Sequence, residues 1–170
     1  YHKVVLPHPD KDVRSNQKTS GQIFSEFSET FISFFRKKGI VIGLIFFLVY
    51  RLGESMLVKM ASPFLLDSRD IGGLGLSTEQ VGLTYGTVGV IALTLGGIIG
   101  GWMISFNGLK KWIFTMGLAI TLPHIVYVYL AYYQPVSILS INISVAVEQF
   151  GYGFGFAAYL MYMMFVAQGK

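Results

Sequence analysis

The sequence contains no cysteine, and of its 170 residues only 13% are Asp, Glu, Lys or Arg. Without cysteine there is no disulfide framework and no thiolate nucleophile or thiolate metal ligand. An ordinary water-soluble domain, in which about a quarter of the residues are charged, is a poor fit to so little charge. Histidine occurs three times, and there is no HExxH, no G-x-S-x-G and no phosphate-binding glycine loop. No enzyme activity, catalytic residue, cofactor or bound metal is therefore expected. His2 and His8 stand in a polar stretch without a partner cluster and read as solvated side chains. The formal net charge of +4 does not point to nucleic acid, because the basic residues lie mainly beside apolar runs, where positive charge sets membrane topology.

Apolar length is what the chain has in quantity. It is 53% hydrophobic, its mean hydropathy is +0.58, and the apolar residues gather in long runs after Gly39. Crossing ~30 Å of hydrocarbon at 1.5 Å per residue takes roughly 20 residues. Four runs meet that length, at about 39–66, 78–105, 112–132 and 136–167. The expectation is an all-α membrane protein with about four transmembrane helices in a bundle over 39–170, preceded by an amphipathic surface helix.

Residues 1–21 are polar, with Pro7, Pro9 and mixed charges, and read as an exposed loop. The chain opens on Tyr1, with no charged segment leading into an apolar core and cleavage site, so the natural protein is expected to start earlier. Over 22–38, Ile23, Phe27, Phe31 and Phe35 repeat every four residues among Ser and Glu, and Arg36, Lys37 and Lys38 close the segment. That pattern predicts a helix lying at the membrane surface. Seven Lys or Arg precede the first span, two lie in the second connection and one follows the fourth span. The first connection carries only Arg69 and the third carries none, so the positive-inside rule puts both ends of the chain in the cytoplasm.

The first span holds an anomaly. Arg51, Glu54 and Lys59 stand where hydrocarbon is expected, and at 100° per residue they fall with Ser55, Val58 and Ser62 in an arc of about 140°. A charge at mid-bilayer costs at least ~2.5 kcal/mol, so such residues pair or line a cavity. Two readings of Arg51 and Glu54 stand at this point: they line a cavity, or they form an ion pair that locks neighbouring helices. Glu148, followed by Gln149, is a second intramembrane carboxylate, and His124 follows Pro123 at an expected kink. Gly82/Gly86, Gly96/Gly100, Gly97/Gly101 and Gly151/Gly155 are small-xxx-small pairs that predict close helix packing. Ser77 and Thr78 ahead of Glu79 and Gln80 predict a helix start.

Gly101 to Lys110, GWMISFNGLK, resembles a worn form of the loop signature of the major facilitator superfamily, G-x-L-A-D-R-x-G-R-K. Gly101, Gly108 and Lys110 match, and Lys111 adds charge nearby. Ser105 and Phe106 replace the usual Asp and Arg, so a gating salt bridge is not implied. RLGESMLVKMASPFLLD, GLSTEQVGLTYGTVGVIALTLGGIIGG and VAVEQFGYGFGFAAYLMYMMF are similar to the AmpG-type muropeptide permeases, especially those of the Bacteroidetes. The resemblance covers 39–170. It implies a transporter of two helical halves joined by a cytoplasmic loop, in which the polar start matches that loop, the four spans match helices seven to ten, and a further half completes the molecule. It also implies proton-driven uptake of anhydromuropeptides across the bacterial inner membrane. Arg51 or Lys59 would then suit anionic groups of the substrate, and Glu54 or Glu148 the proton. An acetyl-CoA-like anionic conjugate, or a non-transporting receptor on the same fold, are the alternatives.

Overall fold

A computed structural model describes residues 20–36 and 39–167. The expected reading of residues 1–19, with His2 and His8, and that of Lys37 and Lys38 fall outside the described residues. The chain divides into two units, Tyr1–Ile40 and Val41–Lys170.

In the first unit α1 spans Ser20–Arg36. Ile23, Phe24, Phe27, Phe31, Ile32 and Phe35 are each at least half exposed. Phe27 stacks on Phe31 and Phe31 packs against Phe35, with centroids 6.2 and 5.0 Å apart. The phenylalanines repeat every turn and stand exposed along one side of the helix. Gly39 has a φ of 85°, which a right-handed helix does not accommodate.

The second unit carries four long helices: α2 (Ile40–Leu66), α3 (Thr78–Asn107), α4 (Leu109–Tyr133) and α5 (Ile138–Ala167), with a mean hydropathy of 1.4–1.9. Even the 25 residues of α4 reach ~37 Å at 1.5 Å each, more than the ~30 Å hydrocarbon thickness. Two buried apolar clusters mark opposite ends of the bundle. Leu65, Leu74, Leu130 and Ile141 form one, and Ile104, Met116 and Ala158 form the other.

Each helix has a chemical reason for its limits and its irregularities. α3 starts in a capping box: the Ser77 hydroxyl accepts the Gln80 amide at 3.2 Å, and the Ser77 amide donates to the Gln80 side chain at 2.9 Å. Thr84–Gly89 is a π-helical turn inside α3. In α4 the Pro123 ring converts Leu122–His124 into a 3-10 turn, so the expected kink takes this local form. The α3–α4 connection is shorter than the sequence suggests. Gly108 alone, with a φ of 76°, reverses the chain, and Lys110 and Lys111 belong to the first turn of α4 rather than to a loop.

Glycine brings three of the helices together at backbone distance. α5 packs against both α3 and α4. A methyl group built on Gly100 would lie 2.6 Å from the Phe154 carbonyl oxygen, and one on Gly96 would strike the Phe150 carbonyl. Gly153 abuts Leu93 of α3 on this same side, and on the opposite face of α5 Gly151 and Gly155 abut the Ala119 and Met116 carbonyls of α4. Not every expected packing glycine does this: Gly82, Gly86 and Gly101 face open space among the described residues. The interface follows the face of α3 that meets α5, and these three are turned away from it. α2 reaches its neighbours through long side chains instead, with Phe47 edge-on to Tyr159 at 5.3 Å and the Tyr50 hydroxyl donating to the Gly155 carbonyl at 2.9 Å.

The two connections at the Leu65 end are tied by one side chain. Arg69 donates to the carbonyls of Gln134 at 2.6 Å and Pro135 at 3.0 Å. Replacing Arg69 with Ala is expected to cost about 1–2 kcal/mol. In hydrogen exchange, faster exchange should be confined to residues 67–76 and 134–137, and an unchanged pattern there would show the clamp to be dispensable.

Candidate functional site

Residues of α2, α3 and α5 meet inside the bundle around a cavity of about 360 Å³, lined by Glu54, Leu57, Val58, Ala61, Ser62, Tyr85, Glu148, Gln149 and Tyr152. α2 supplies Glu54, Val58 and Ser62 because residues at spacings of four project from one helix face. Pro123 turns α4 so that His124 comes to Glu54: His124 Nε2 and Glu54 Oε2 are 3.1 Å apart. From α5 comes Glu148, whose Oε2 accepts from Gln149 Nε2 at 2.9 Å. Glu54 is 1% exposed and Glu148 is 2% exposed. Two carboxyl groups are thus shut inside an apolar bundle, where each requires a partner. Glu54 Oε1 has none. A buried acceptor left unmatched costs roughly 1–3 kcal/mol.

α3 contributes through its π turn. Thr84 is buried and donates to Asn142 Oδ1 of α5 at 2.7 Å, and the Tyr85 and Tyr127 hydroxyls are hydrogen-bonded to each other. A π turn holds one residue more than an α turn, which re-aims the side chains beside it, and such turns concentrate at functional sites. Here the turn carries Tyr85 into the cavity wall.

Arg51 is occupied differently from Glu54. Its guanidinium carbon lies 5.8, 5.3 and 5.6 Å from the ring centroids of Tyr152, Phe156 and Tyr159 on α5. Cation–π contacts of this kind contribute about 0.5–2 kcal/mol and leave the guanidinium charge unneutralised. The ion pair between Arg51 and Glu54 considered from the sequence does not form: Glu54 pairs with His124, and Arg51 lies over rings. The reason is supply, since the α4 kink offers Glu54 a closer imidazole while α5 offers Arg51 three aromatic faces.

The other residues expected at the site divide in the same way. Glu148 and Gln149 join Glu54 in the cavity wall, while His124 stands behind it, against Glu54. Ser55 and Lys59 do not line it: both are exposed, and the Ser55 hydroxyl donates to the Leu52 carbonyl of its own helix at 2.9 Å. They stand ~100° and ~140° round α2 from Glu54, too far to share its wall. Of the loop-signature residues, Lys110 is exposed and Lys111 donates to Asn107 Oδ1 at 3.5 Å, away from the cavity. Tyr85, Tyr127, Thr84 and Tyr152 carry no signal in the sequence as site residues, because hydroxyls and rings in apolar spans read equally well as packing.

The arrangement is that of an all-α membrane protein with four helices long enough to span a bilayer and two buried carboxyl groups at an internal cavity. Among curated proteins, the chain is 30% identical over 135 residues to "Putative transporter AmpG 1" of Rickettsia felis, which is 77% of this chain and 28% of that protein. It is 29% identical over 133 residues to "Putative transporter AmpG 4" of Rickettsia conorii, which is 78% of this chain and 30% of that protein. An uncharacterized protein of Haemophilus influenzae is 23% identical over 158 residues. The chain therefore spans about 30% of the length of the AmpG-named relatives it matches. No family profile and no solved structure matches it. Over about three quarters of its length, the chain is similar to these AmpG-named proteins.

Proposed function

We propose that this chain forms part of a secondary active transporter of the major facilitator type that takes up anhydromuropeptides, together with protons, across the bacterial inner membrane. In this reading both ends of the chain are cytoplasmic, α1 rests on the membrane surface, and α2 to α5 correspond to helices seven to ten of a longer protein. The observation that carries it is Arg51: a permanent cation inside a membrane span, held on three aromatic faces and, among the described residues, without a carboxylate partner. The electrostatic cost of that cation falls when an anionic solute enters beside it, and the carboxylates of a muropeptide are such groups. Tyr152 belongs both to the rings around Arg51 and to the cavity wall, so the anion would sit next to the Glu54–Glu148 side of the cavity. The similarity to proteins named as AmpG transporters supports the transport reading. Proton coupling is part of the same proposal, with Glu54 and Glu148 as the carboxyl groups inside the membrane spans.

Counterflow of labelled anhydromuropeptide in vesicles holding the intact transporter tests this. The parent is expected to show counterflow, and Arg51→Met to lower it at least tenfold, chiefly through weaker substrate binding. An anionic conjugate of the acetyl-CoA type driving equal counterflow would replace the substrate assignment. Absence of counterflow with correctly inserted protein would favour a receptor.

A further inference from the structure

The Glu54–His124–Glu148 cluster has a coordination chemistry that uptake of an anion leaves unused. One ligand atom from each of the three lies within 4.8 Å of the other two, and the residues come from α2, α4 and α5. Two carboxyl groups and an imidazole, once deprotonated as metal ligands must be, offer two negative charges through oxygen and nitrogen donors. The charges available to offset them are directed elsewhere. Arg51 lies on aromatic rings, Lys59 is exposed, Gln149 offers Glu148 a neutral amide, and the Tyr85 hydroxyl is bonded to Tyr127. Glu54 Oε1, on a side chain 1% exposed, has no hydrogen-bond partner among the described residues. A cation inside the cluster would meet that oxygen and balance both carboxylates at once.

Geometry narrows the cation. Metal–ligand bonds of about 2.0–2.1 Å in a tetrahedral site put neighbouring ligand atoms ~3.3 Å apart, and His124 Nε2 and Glu54 Oε2 are already 3.1 Å apart. The imidazole argues against Mg²⁺ and Ca²⁺, which take oxygen ligands, and suits a first-row transition ion. Three protein ligands leave a fourth position for water or solute.

We propose that Glu54, His124 and Glu148 form a binding site for a divalent ion of the Zn²⁺ class, and that the bound ion arrests the carrier by tying α2, α4 and α5 together. The binding stands on the cluster alone, and the arrest rests on the transport reading above.

The test uses the intact, untagged protein in detergent, stripped with a chelator, in a background in which His2 and His8 are Asn so that His124 is the remaining histidine of this chain. Zn²⁺ at micromolar concentration is expected to raise the thermal midpoint and to bind one ion per site by calorimetry, while Mg²⁺ does neither. His124→Asn should weaken Zn²⁺ binding at least tenfold, and Glu148→Gln should do the same if the His124 variant fails to fold. Binding as tight in either folded variant as in the parent, or no Zn²⁺ binding below about 1 mM, would overturn the site. In vesicles, Zn²⁺ should cut counterflow at least tenfold and EDTA should restore it. Counterflow unaffected by saturating Zn²⁺ would overturn the arrest. Zn²⁺ binding in a protein that shows no counterflow of any solute would support the site while removing the transport reading.

Discussion

Gly155→Leu is expected to lower the thermal midpoint of the intact protein in detergent by roughly 6–12 °C, or to prevent folding. The reason is the backbone distance between α4 and α5. A β-carbon at Gly155 would meet the Met116 carbonyl oxygen and the Ile120 side chain, and a leucine adds three more carbons to a space already filled. Overpacking of this kind costs ~1–3 kcal/mol where side chains can yield, and more where the obstacle is a carbonyl in a helix. Each kcal/mol moves the midpoint by about 2–4 °C in a domain of this size. The same position also receives the Tyr50 hydroxyl on its carbonyl, so displacing α5 there loosens α2 as well. Gly82→Leu is the control, since Gly82 faces open space. Equal midpoints for Gly155→Leu and the parent would show that the α4–α5 contact is not made in the assembled transporter.

Glu54→Gln is expected to keep the protein folded and to reduce uptake at least tenfold. Glutamine preserves the volume and leaves His124 a neutral hydrogen-bonding partner, while removing one of the two carboxylates of the cavity. The charge-assisted bond it gives up is about 1.5–3 kcal/mol, and 1.4 kcal/mol is a factor of ten. Glu54→Ala separates stability from transport. It leaves the imidazole unmatched, at the low end of the ~3–5 kcal/mol expected for breaking a buried pair, because His124 is 18% exposed. Parent-level uptake by correctly inserted Glu54→Gln would remove this carboxylate from the cycle.

The glycine network and the cavity suggest a division of labour among the helices. α5 meets α3 and α4 backbone to backbone, which leaves no room for a side chain at the glycine contacts. α2 meets them through Tyr50, Phe47, Glu54 and Arg51, whose longer reach tolerates displacement. Substituting a glycine should therefore act on stability, and substituting an α2 side chain on the site.

The sequence by itself determined the membrane class, the four spans and the residues out of place in them. Apolar runs long enough to cross a bilayer, a Ser77–Gln80 cap and a proline at 123 are local patterns, and each acts within a few residues of where it is written. It also named Glu54, His124 and Glu148 one by one, because a charged or imidazole side chain in an apolar span is anomalous wherever it points. What it could not supply was who meets whom. Arg51 and Glu54 are three residues apart and looked like partners, yet one lies on the rings of α5 and the other on His124, 70 residues away. Gly82, Gly86 and Gly101 carry the same spacing as the packing glycines and face nothing. The π turn at Thr84–Gly89, which carries Tyr85 into the cavity wall, has no periodic signature. These outcomes belong to the tertiary structure because they depend on the rotation of whole helices about their axes. In a bundle, that rotation is set by which backbones can come closest, and it is the glycine faces of α3 and α5 that decide it.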